Sequence, residues 1–125
     1  MTEAERRRWP RRELGAVVDI MEEIGVRLGR AVGVNISRGG MLLQTLLDYR
    51  EGERLTVSFL LPGSADQLVV HGRVVRVVSP EEAGPEAAGV AIEFVPDNPG
   101  WVMAEVVRFV EGQDRLPEAV LRSKE

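Results

Sequence analysis

Cysteine is absent from the 125 residues, histidine occurs once, at His71, and lysine once, at Lys124. Without cysteine there is no disulfide and no thiolate metal site. His71 stands beside Gly72 inside an aliphatic run and reads as an ordinary strand residue. A serine hydrolase would need it paired with an acid and an exposed serine, and no nucleophile-elbow motif occurs. Neither a P-loop nor a dinucleotide-binding glycine fingerprint is present. Gly25, Gly29 and Gly33 are spaced by four but fall in strand and turn context. The adjacent acids Glu22-Glu23 and Glu81-Glu82 point apart on an extended chain and read as solvated faces. These absences argue against an enzyme and leave no metal or other cofactor to expect. No apolar run reaches the ~18 residues of a membrane-spanning helix. The opening MTEAERRRWPRR lacks the hydrophobic stretch of a secretory signal. The cytoplasm is therefore the expected compartment. A net charge of −4 and only 5% aromatic residues speak against a nucleic-acid footprint.

What remains is a soluble-protein composition, 44% hydrophobic and 29% charged, in a length that suits one modest core. Period-two alternation predicts short strands over Val17–Glu23, Arg30–Ser37, Met41–Thr45, Leu55–Phe59, Leu68–Val78 and Val90–Phe94. In the second, Val32, Val34 and Ile36 are expected in the core, with Ala31, Gly33, Asn35 and Ser37 facing outward. Arg38-Gly39-Gly40 reads as a tight turn in which glycine supplies positive φ. The aliphatic phase slips within the fifth strand, from Leu68 and Val70 to Val75 and Val77. A β-bulge at Gly72 is the expected cause. Ser79–Ala88 reads as an exposed loop. After Pro96 the period changes: Val102, Met103, Val106, Val107 and Val110 follow helical spacing. Asn98 is the expected cap, Pro99 the first helical residue and Gly112 the stop. Leu116–Leu121 reads as a further short turn or a loose tail. Six strands with regular turns and one helix imply a mainly β, six-stranded barrel with a helix covering one end. The expected organisation is an N-terminal arginine-rich flexible segment (1–12), the barrel with its helix (13–112) and a C-terminal tail (113–125).

Two constellations carry chemistry. Arg6, Arg7, Arg8, Arg11 and Arg12 fall within seven residues. Guanidinium is a planar fork that grips phosphate bidentately, pairs with the O6/N7 edge of guanine or stacks on a base. Alone, the cluster equally describes a solvated basic tail. Asn35-Ile36-Ser37-Arg38-Gly39-Gly40 places an amide and a hydroxyl on one strand face ahead of a glycine turn, whose backbone amides can also meet a ligand. Alone, it equally describes a hairpin with a polar outer face.

In this order and spacing, the two resemble the signature of the PilZ domain family: Arg-x-x-x-Arg ahead of the first strand, then Asp/Asn-x-Ser-x-x-Gly on the second. Arg7 to Arg11 matches the first, with Arg6 as an extra arginine, and Asn35 to Gly40 matches the second without substitution. Arg8 and Arg12 have the same spacing and form an alternative pair. Gly72–Arg76 and Gly89–Phe94 also resemble the family's last strands, so the resemblance covers residues 6–110. It implies a PilZ-type barrel that binds cyclic diguanylate and catalyses nothing. It implies that Arg6, Arg7, Arg11, Asn35, Ser37 and Gly40 form the ligand site, Gly40 keeping the turn open. Ordering of the arginine segment by the nucleotide would then relay messenger level to a downstream protein, with motility or biofilm formation as outputs. The alternatives are a pilus- or motility-related adaptor that uses the barrel without a nucleotide, and a nucleic-acid-binding module built on the arginines. Monomer and homodimer are both compatible with the sequence.

Overall fold

The computed structural model describes residues 10–22, 28–84 and 88–112. Six strands are present: β1 (Arg11–Glu22), β2 (Leu28–Ser37), β3 (Gly40–Gln44), β4 (Arg54–Leu60), β5 (Gln67–Val78) and β6 (Gly89–Phe94). A helical turn α1 (Pro80–Ala83) precedes β6, and α2 (Gly100–Val110) follows it. All neighbouring strands are antiparallel, in the closed order β1-β2-β3-β6-β5-β4. Closure removes every free sheet edge. The expected barrel with a C-terminal helix is the observed fold. Val18, Ile36, Leu43, Val57, Phe59 and Val70 fill its interior, and Val102, Val106 and Phe109 of α2 close over it.

The first two strands are longer than their alternation implies, and Arg11 and Arg12, expected in the flexible segment, are the first residues of β1. Gly29, just ahead of the expected second strand, lies inside β2. The β1–β2 ladder contains a bulge. Register shifts between Glu13 and Ala16, so Leu14 and Gly15 occupy the span where β2 has Val34 alone. Gly15 has φ 64°, a conformation that only glycine adopts without strain. Against β3 the register shifts at the same place, between Gly33 and Asn35. The slip reverses the facing of the N-terminal half of β2. Ala31 and Gly33 are buried, while Val32 is exposed, contrary to the simple alternation. Beyond the slip, Ile36 is fully buried, as expected.

The second bulge is displaced from its expected position. Leu68, Val70, Gly72 and Val74 are all buried, and the register with β6 shifts between Val74 and Arg76. Gly72 continues the regular phase, and a Cβ there would sit tightly against Ile92 and the Glu93 carbonyl. The expected loop 79–88 contains α1, which Ser79 caps by accepting from the Glu82 amide.

Asn98 does not cap α2; Pro99 occupies that position without a side-chain bond. The Asn98 amide is buried and used elsewhere. Its Oδ1 accepts from His71 N at 2.8 Å, while Nδ2 donates to His71 O at 2.8 Å and Val95 O at 3.0 Å. It thus serves the main chain of β5 beyond the end of β6 and fixes where α2 departs. Gly112 ends the helix as expected, with φ 74° and its N–H on Phe109 O. The expected 113–125 tail, with Leu116–Leu121, lies outside the described residues.

Asn98→Ala should lower stability by about 1–3 kcal/mol, since it removes the side-chain acceptor of the part-buried His71 N–H and one of two donors from each of the His71 and Val95 carbonyls. Urea unfolding followed by circular dichroism measures the loss.

Candidate functional site

Strand pairing brings the two motifs together. Arg11 is the cross-strand partner of Ser37, and Glu13 that of Asn35. Directly opposed residues share a face, and residues two apart on a strand share it as well. Arg11, Glu13, Asn35 and Ser37 therefore form one outward cluster. The intervening Arg12–Ile36 pair lies on the opposite side, where Ile36 enters the core. Arg11 and Glu13 are exposed, Asn35 is half-buried and Ser37 is buried. The facing of Asn35 and Ser37 is thus as expected, but Ser37 is covered.

Ser37 also organises the turn that follows. Gly39 N donates to its Oγ at 3.2 Å, and the hydroxyl lies 3.4 Å from Gly40 O, to which it donates. The turn is tied to β6, because Phe94 N donates to Gly39 O at 2.9 Å. Neither Gly39 nor Gly40 has positive φ, contrary to expectation. Gly40 is required for another reason. A Cβ there would collide with the Ile92 carbonyl oxygen, so glycine lets β3 and β6 pair closely. Its place in the motif is explained by packing.

The two arginines at the start of β1 have separate roles. Arg12 turns inward to α2. Its Nη1 donates to Phe109 O at 2.7 Å, and its guanidinium lies 4.1 Å over the Phe109 ring. The charge therefore meets a carbonyl at the negative end of the helix and an aromatic face together. Arg11 stands on the outward cluster beside Ser37. Arg6, Arg7 and Arg8 lie outside the described residues. Of the two possible arginine pairs, Arg7–Arg11 is the one whose second member shares the face of Asn35 and Ser37. The sequence reading missed the inward turn of Arg12; only its place one residue beyond Arg11 in an extended chain hinted at it. It also missed Glu13, two residues beyond Arg11 on the same face.

The cluster presents a guanidinium, a carboxylate, a primary amide and a hydroxyl. A guanidinium suits phosphate or guanine O6/N7. A carboxylate or amide oxygen accepts the guanine N1 and N2 protons. Among the described residues, no group of three or more His, Cys, Asp or Glu could hold a metal ion. His71 packs within the sheet, its Nδ1 2.9 Å from Thr56 Oγ1.

The PilZ domain family model matches residues 5–112, a span that includes both motifs. The chain belongs to the PilZ domain family. Solved structures with the same fold agree. The Bacillus subtilis inhibitor of motility, MotI/DgrA, superposes with a TM-score of 0.69 at 20% identity, covering 86% of this chain and 50% of that one. This chain thus spans half the length of that protein. The PilZ domain of YcgR from Escherichia coli, solved with c-di-GMP, gives 0.64 at 16% identity, covering 96% and 98%. The PilZ domain of CeSA from a cellulose-synthesizing bacterium gives 0.60 at 17%, covering 84% and 98%. No curated protein matches. PilZ domains bind ligands or act as adaptors, which is the class of activity this barrel belongs to.

Arg12→Ala should cost about 1–3 kcal/mol, since it removes a charge-assisted hydrogen bond and a cation–π contact. Hydrogen exchange should quicken at Arg11–Leu14 and at the last turn of α2 together. Arg12→Lys should restore only part of the protection, because an ammonium cannot stack and fork as a guanidinium does.

Proposed function

We propose that this PilZ domain is a receptor for cyclic diguanylate and that Arg7, Arg11, Asn35 and Ser37 hold the nucleotide. The observation that carries this reading is the register of β1 on β2, which sets Arg11 opposite Ser37 on one outward face. The ligand has two phosphates and two guanines. Arg11 grips a phosphate or a guanine O6/N7 edge, and Arg7 closes from the preceding segment with Arg6 as an additional contact. Asn35 and Glu13 supply acceptors for guanine N1 and N2 protons. Ser37 holds the turn to Gly40, so that the cluster is preorganised. The c-di-GMP-bound YcgR domain, which shares the fold, supports the choice of nucleotide.

No bond is made or broken in this function. The nucleotide draws the arginine segment onto the barrel, an order–disorder switch driven by charge-assisted hydrogen bonds. Arg12 joins the start of β1 to α2, so closure at Arg11 is felt at the helix. The readout is a changed surface at the barrel and helix that a downstream protein recognises. The likeness to an inhibitor of motility supports a motility-related partner.

Isothermal titration calorimetry tests the reading. Wild type should bind cyclic diguanylate saturably, and Arg7→Ala with Arg11→Ala should abolish the heat. Arg11→Ala alone should weaken binding about 10–100-fold, as the loss of a charged hydrogen bond does, and Ser37→Ala should also weaken it. Arg8→Ala should leave binding close to wild type, because Arg7–Arg11 is the working pair. Absence of heat with folded wild type would instead support an adaptor that works without a nucleotide.

A further inference from the structure

Eight large apolar side chains are exposed among the described residues, and six of them share one surface. Val17 and Met21 of β1, Leu28 and Val32 of β2, Leu60 of β4 and Val69 of β5 all face outward from adjacent strands of the barrel. Leu28 is 69% and Val17 64% exposed. On the β1–β2 ladder they form ordered rows: Val17 opposite Val32, Asp19 opposite Arg30, Met21 opposite Leu28. The surface continues over β4, where Asp19 meets Ser58, and over β5, where Ser58 meets Val69. Exposed apolar rows grouped in this way on adjoining strands mark a contact surface. The closed barrel has no edge to which a strand could add, so the contact must be face to face.

We propose that this face seats a second copy of the chain. The middle row is an ion pair, Arg30 Nε to Asp19 Oδ1 at 3.1 Å, with both side chains largely exposed. Apolar rows flank it on either side. A twofold axis running along the strands between β1 and β2 exchanges the two strands across the interface. Val17 then lies on the partner's Val32, Met21 on the partner's Leu28, and Asp19 on the partner's Arg30. Every row meets its complement, apolar on apolar and opposite charge on opposite charge, as an isologous contact requires. A patch of single sign would repel its own copy; this one attracts it. The pairing involves no nucleotide and stands apart from the receptor reading.

Sedimentation velocity without nucleotide, over a concentration series reaching the high micromolar range, tests it. Wild type should show a reversible monomer–dimer equilibrium. Asp19→Arg and Arg30→Asp should each weaken association about tenfold or more, because like charges then face each other. An equimolar mixture of the two variants should associate again, since opposite charges meet at both positions of the mixed pair. Val17→Glu should also weaken the dimer. These residues are exposed, and unchanged melting curves would verify that each variant folds. A wild type that stays monomeric throughout overturns the proposal and leaves the face to a different partner. So does a dimer indifferent to Val17→Glu, or a mixture that stays monomeric while wild type pairs.

Discussion

The pairing register of β1 on β2 is the constraint on which the rest depends. A slip of one residue would turn Arg11 and Glu13 to the opposite side from Asn35 and Ser37 and send Arg12 outward. Closure of the barrel opposes such a slip, since β1 is held by β4 as well as by β2. The bulge at Gly15 is the adjustment that satisfies both ends. It absorbs the extra residue of β1 where β2 offers only Val34. The C-terminal part of β1 packs its even-numbered residues into the core, and the N-terminal part delivers Arg11 to the motif face.

Two consecutive arginines thereby face opposite ways. Arg11 is presented with Asn35 and Ser37, while Arg12 clasps the last turn of α2 through Phe109. The strand that carries one motif is thus joined to the element that closes the barrel. An event at Arg11 is one residue from the clasp, and α2 packs Val102, Val106 and Phe109 into the same core that β1 lines. The outward motif face and the contact with the helix share one short stretch of chain. The apolar rows Val17–Val32 and Met21–Leu28 continue along the same pair of strands, so the β1–β2 ribbon carries both candidate contacts of the domain.

Much of this was legible in the sequence. Six strands, the turns between them and the helix over Gly100–Val110 follow from alternation that changes period after Pro96. Asn35 and Ser37 were correctly set on one outward face because Ile36 between them enters the core. Departures arose where tertiary pairing overrides a local pattern. Val32 was expected inside, but a bulge at Val34, visible only once β1 and β3 are paired, turns it out. Gly72 resembled a bulge, yet the ladder is regular there and the slip falls at Val75. Asn98 resembled a cap, yet its amide is spent on the main chain of His71. Gly40 resembled a turn glycine, yet it answers to the approach of β6. Each is a long-range contact that no window along the chain contains. The division between Arg11 and Arg12 was left open by a repeat of equal spacing; strand facing sets Arg11 beside Ser37 and turns Arg12 to Phe109.

The central claim is that one nucleotide engages the arginine segment and the Asn35–Gly40 face together. Amide hydrogen exchange with and without cyclic diguanylate tests it most directly. The account predicts joint protection of residues 5–13 and 35–40 on addition of the nucleotide, lost when Arg7→Ala and Arg11→Ala are combined. Protection confined to another part of the barrel, or none at saturating nucleotide, would contradict it.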